Sequence, residues 1–69
     1  MKKAEAIERL KAGDTLVYDN GPRFPSAHFK GDGKTLRFDT AFSLKYSGFL
    51  NVGKSETAHG VEYLTWKDN

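Results

Sequence analysis

TAFSLKYSGFL, residues 40–50, is the stretch that decides the fold. It predicts a short helix, for which Asp39 fits the N-cap, Phe38 fits the first position of a hydrophobic staple and Phe42 lies near the facing position. Gly48 ends the helix, because glycine readily takes the left-handed backbone of a helix exit. Residues 49–52 suit a strand that follows at once. A helix, a tight glycine turn and a strand are therefore expected here.

The rest of the chain predicts a small set of further elements. Residues 3–11 place Ile7 and Leu10 three apart between charged positions, which is typical of an amphipathic helix, and Gly13 fits its exit. Glycine, proline and asparagine mark turns between the later segments, and the 31–34 segment is predicted to be a plain β-turn. Strands are predicted at 15–18, 27–30, 35–38, 49–52 and 61–66, with an extended loop at 22–25 and a flexible polar loop at 53–60.

Length and composition limit the classes of protein. The chain has 69 residues and no shift of composition, so it is predicted to be one domain, 1–69, with a small core. It has no cysteine, which excludes disulfides and thiolate metal sites. No apolar run has the length of a signal peptide or a membrane span, so a cytoplasmic protein is expected. The formal charge of +2 is a weak electrostatic signal for nucleic-acid binding.

The order of elements, α-β-β(-β)-α-β-β, resembles the small winged helix-turn-helix proteins encoded by phages and prophages. The resemblance covers the second half of the chain best, and it implies an α+β, winged-helix-like domain. In that comparison residues 40–50 stand for the recognition helix and its exit, and residues 53–60 stand for the wing. It also implies core positions for Ala41, Leu44, Leu50 and Leu64. The chain departs from the family where β structure between residues 15 and 38 replaces the usual short second helix.

The resemblance implies a DNA-binding regulatory protein. Its DNA-binding residues would be Thr40, Ser43 and Lys45 on the second helix and Lys54 in the wing. Readers of the major groove usually present more arginine, lysine, asparagine or glutamine from that helix than this chain offers. The expectation of DNA binding therefore rests on the resemblance in fold and not on the side chains of the helix.

A protein-interaction module, such as a phage-encoded inhibitor of a host protein complex, is the alternative. Phe42 and Tyr46 lie four residues apart and would form an apolar stripe with Phe38 on the flank of the helix, with Arg23 on a proline-stiffened loop as a further anchor. The same aromatic residues could instead complete the small core. An exposed stripe would also suit a homodimer contact.

Enzymatic activity is not expected. His28 and His59 are the only histidines, and neither has a partner at the spacing of a helical metal site. We therefore predict no catalytic residues, no metal and no cofactor, and a partner that is either DNA or a host protein.

Overall fold

The computed structural model describes residues 1–21, 24–56 and 60–67. Five strands form one antiparallel sheet in the order β3-β2-β1-β5-β4. The elements are α1 (Lys3–Lys11), β1 (Leu16–Asp19), β2 (Ser26–Phe29), β3 (Thr35–Leu36), α2 (Phe38–Lys45), β4 (Leu50–Lys54) and β5 (Val61–Trp66). The α+β class expected from the sequence is confirmed.

The strand register gathers the apolar side chains on one face of the sheet. Leu16 of β1 lies opposite Phe29 on one side and Leu64 on the other, and all three are fully buried. Directly opposed residues of antiparallel strands share a face, so these side chains form one layer of the core. Side chains alternate between the two faces along a strand, so the neighbouring positions, such as His28 and Tyr63, are on the other face.

Both helices pack on the apolar face. Helix α1 buries Ala6 and Leu10, and helix α2 buries Ala41 and Leu44, all within the same hydrophobic cluster as the strand residues. Packing both helices on one face is the usual way for a small antiparallel sheet to cover its apolar side and leave the other side to water. This arrangement directs the remaining faces of α2 toward solvent.

Several local predictions are confirmed, and others need correction. Gly13 and Gly48 have φ values of 101° and 87°, as expected at helix exits. The prediction that Asp39 caps α2 is wrong, because the helix begins at Phe38, two residues before the start that this cap implies, and Arg37 occupies the N-cap without a side-chain bond. Five strands are present, whereas the predicted order of elements counted four and left a fifth, before the second helix, as optional. That optional strand is β3, which has only two residues.

The segment between the two helices is a β-meander in the described part of the chain. Strands β1, β2 and β3 pair in succession there, so no described helix directly precedes α2. The predicted wing is also shorter than expected, because Gly53 and Lys54 belong to β4. The winged-helix expectation is thus supported only at the coarser level of an α+β domain.

Candidate interaction surface

Helix α2 and its C-cap residue, Tyr46, expose two aromatic rings that touch each other. Ala41 and Leu44 face the core and are fully buried, whereas Phe42 and Tyr46 are 50% and 66% exposed. Residues four apart share a flank of a helix, and the centroids of these two rings are 4.7 Å apart. We call Phe42 and Tyr46 the aromatic pair. The placement answers the question that the sequence left open for these two rings, since neither completes the core. Phe38 does not join the stripe, because its ring is partly buried and stacks on Tyr18 at 4.9 Å.

Lys45 lies beside the aromatic pair and already has an anionic partner. Its Nζ donates a hydrogen bond to Oε1 of Glu62 on β5, and both side chains are only 16% exposed. The ammonium group also lies 4.8 Å from the ring centroid of Tyr18 and 5.3 Å from that of Tyr46. The hydrogen bond to Glu62 raises the pKa of Lys45, while burial raises the pKa of Tyr18. The ammonium group of Lys45 is therefore charged, and Glu62 holds it in a fixed position beside the aromatic pair.

An open depression of about 410 Å³ adjoins Lys45 at one end of the sheet. There the backbone N–H of Asn20 donates to the carbonyl of Gly60 at 2.9 Å, which ties the β1–β2 connection to the start of β5. Gly60 has a φ of 79°, and a Cβ at this position would lie 3.4 Å from the Asn20 carbonyl oxygen. The depression is lined by Asn20, Lys45, Lys54, Ser55, Gly60, Val61 and Glu62.

The predicted DNA-binding residues are divided between two places. Lys54 is exposed on β4 and lines the same depression as Lys45. Glu62, which lies opposite Lys54 on β5, lines the depression as well. Ser43 is on another flank of α2, and its Oγ accepts a hydrogen bond from Nζ of Lys3 at 3.2 Å. Thr40, three residues before Ser43, is half-buried. Only the two lysines are therefore brought together.

Some predicted positions lie outside the described residues, and some contacts could not be predicted. Arg23, the proposed third anchor of a protein partner, is outside the described ranges, as is His59. Glu62 is the residue that sequence reasoning missed, because its contact with Lys45 spans seventeen residues and depends on the position of β5. No local pattern in the chain indicates that pair.

Comparisons with protein-family models, with curated proteins and with solved structures found no match to this chain. Within residues 1–21, 24–56 and 60–67, no group of three or more histidine, cysteine, aspartate or glutamate side chains is placed to hold a metal ion. No helix in those ranges has the length and apolar character needed to cross a membrane. The interaction surface must therefore be interpreted from its own geometry.

Proposed function

We propose that this chain is a small, non-enzymatic interaction domain that binds another protein through the aromatic pair on α2. The observation that supports this most directly is the exposure of two mutually contacting rings, one on α2 and one at its C-cap, beside a helix that buries Ala41 and Leu44 and partly buries Phe38. Exposed apolar patches and aromatic anchors are typical of protein-binding sites.

The exposed area of the aromatic pair is large enough to contribute substantially to the binding free energy of a protein partner. A fully buried aromatic side chain removes about 150–250 Å² from water, so the exposed parts of Phe42 and Tyr46 leave on the order of 200 Å² available. At about 25 cal/mol per Å², covering this area is worth about 5 kcal/mol before the entropic cost of association. Two residues can therefore supply the central anchor of an interface.

The rim of the site suggests the chemistry of the partner. Lys45 and Lys54 line the depression with one carboxylate, that of Glu62, so the lining carries a net positive charge. Lys54 has no ion pair among the described residues. A protein segment with an apolar side chain for the aromatic pair and an acidic group for Lys54 would complement both features.

DNA binding by a winged-helix-like domain is the second candidate, and the exposed Lys54 favours it. Phosphate contacts need cationic groups that are free to exchange counterions. Lys45 has Glu62 as its partner, and Ser43 accepts a bond from Lys3. The predicted DNA surface therefore has fewer available groups than the sequence suggested, and we rank this candidate below protein binding.

Site-specific photo-crosslinking in the producing cells tests the leading proposal. A benzoylphenylalanine at position 42 should crosslink one protein reproducibly, whereas the same group at Thr35, on the β3 edge, should not. The captured protein is then purified, and its affinity is measured for the wild-type chain and for the Phe42→Ala, Tyr46→Ala double variant. A loss of about thirtyfold or more is expected, because hot-spot truncations cost about 2 kcal/mol or more. Phe24→Ala, which removes another exposed ring, is the matched control.

A parallel titration with random-sequence duplex DNA separates the two candidates. Fluorescence anisotropy is followed at low and moderate salt for the wild-type chain, for Lys54→Ala and for the Phe42→Ala, Tyr46→Ala double variant. Binding that weakens as salt rises, depends on Lys54 and is unaffected by the double aromatic variant would contradict the protein-binding proposal in favour of DNA.

A further inference from the structure

Strand β4 has one hydrogen-bonding edge that the sheet does not use. The N–H of Ser55 donates to the carbonyl of Val61, and the N–H of Lys67 donates to the carbonyl of Phe49. Bonded and non-bonded pairs alternate along an antiparallel ladder, so the odd-numbered residues of β4 bond to β5. The backbone groups of Leu50, Val52 and Lys54 therefore point away from the sheet, and β4 is its outermost strand among the described residues.

The side chains of this edge lack the usual protection against pairing. Edge strands are normally short, charged, bulged or interrupted by proline. The opposite edge, β3, has only two residues, whereas β4 has five and a single charge at its end. Val52, at the centre of β4, is 44% exposed on the face that carries the helices. The outward backbone groups of β4 and the side chain of Val52 at its centre are therefore both accessible to a further strand.

We propose that a second copy of this chain pairs with β4 in antiparallel orientation, about a two-fold axis at Val52. This register places Val52 opposite its own copy, and Leu50 opposite Lys54 of the partner. Three opposed pairs of this kind exchange two bonds each, giving about six new backbone hydrogen bonds. The proposal does not depend on the protein-binding function of the aromatic pair.

Self-complementarity selects a second copy as the occupant. A two-fold axis requires each contact to occur twice, and Val52 is the apolar residue at the centre of the strand, where it meets itself. The two Lys54 side chains then lie at opposite ends of the paired strands, so the charges do not oppose each other. Both copies keep their helices on the same side of one continuous sheet, because opposed residues share a face.

Sedimentation equilibrium of three chains tests the proposal. The wild-type chain should sediment at twice its mass of 7.7 kDa and dissociate on dilution. Val52→Lys puts two ammonium groups together at the axis, so this variant should sediment at the single-chain mass. Asn51→Lys adds the same charge to the same strand but on the opposite face, and it should keep the double mass.

Two further measurements guard against a variant that fails to fold. Val52→Pro removes an N–H that points away from β5, so it should abolish the double mass while a heteronuclear NMR spectrum remains dispersed. In the wild-type chain, hydrogen exchange at the Leu50, Val52 and Lys54 amides should slow as concentration rises, while the Asn51 and Gly53 amides are protected throughout.

The proposal would be overturned by any of three results. In the first, the wild-type chain keeps the single-chain mass at sub-millimolar concentration. In the second, Val52→Lys folds and retains the double mass. In the third, a dimer forms but its Leu50, Val52 and Lys54 amides exchange rapidly. The last result would place the contact between copies elsewhere, for example on the aromatic pair.

Discussion

Leu44 and Phe42 lie two residues apart on α2, yet their replacement by alanine should have different effects on stability. Leu44 is fully buried, and removing such a side chain costs about 3 kcal/mol from lost burial and the resulting cavity. Phe42 is half exposed, leaves no closed cavity and loses one ring contact, so Phe42→Ala should cost about 1 kcal/mol. Tyr46→Ala, at the more exposed ring, should cost less still.

The difference is large for a domain of this size. A 69-residue chain has a free energy of unfolding of roughly 5 kcal/mol, so Leu44→Ala should remove more than half of it. At about 5 °C per kcal/mol, Tm should fall by about 15 °C for Leu44→Ala and by about 5 °C for Phe42→Ala. Urea unfolding followed by the fluorescence of Trp66 measures both free energies, and an unchanged slope would show that the unfolding transition is the same.

The reasoning is refuted if the two substitutions have equal costs. Phe42 would then belong to the core, and its exposure could not support an interaction surface. A Phe42→Ala chain with nearly normal stability is also the condition under which the loss of partner binding can be attributed to the surface.

Three further substitutions test the local contacts. Gly48→Ala should cost about 1 kcal/mol in urea unfolding, because the φ of 87° disfavours any side chain although the space around it is open. Glu62→Gln should cost about 1–2 kcal/mol in the same assay, because it leaves the charge of Lys45 half-buried without its partner. Bonds from Arg9 lower the pKa of Asp32 below its ordinary 3.8, so the stabilisation is present above that value and is lost as pH falls through the lowered pKa. Asp32→Asn should remove that part of the acid dependence, as measured by urea midpoints at decreasing pH.

The helices and their ends could be predicted from the sequence because their signals are local. Ile7 and Leu10 mark the apolar side of α1, and Gly13 and Gly48 take the backbone conformation expected at helix exits. The strands were found within a few residues of their observed limits for the same reason. Asp39 shows the limit of such reasoning, because several residues near a helix start fit the cap and the sequence does not fix which backbone N–H comes first.

The candidate site could be predicted only in part because its contacts are distant in sequence. The four-residue spacing of Phe42 and Tyr46 correctly indicated a shared stripe, but their exposure depends on how α2 lies on the sheet. The DNA-binding role expected for Lys45 took no account of its bond to Glu62, since Glu62 reaches Lys45 only after β5 pairs with β1. Strand order is set by the whole core and has no local signature.

The position of β1 in the sheet has a consequence for the kinetics of folding. Leu16 pairs with Phe29, which follows soon after it, and also with Leu64 near the other end of the sequence. The second pairing closes a loop that includes most of the chain, and a high proportion of such distant contacts slows folding to the millisecond range or beyond. During synthesis, β1 must keep one edge open until β5 leaves the ribosome. The hairpin of β1 and β2 can form early, but the pairing of Leu16 with Leu64 must wait for the last strand.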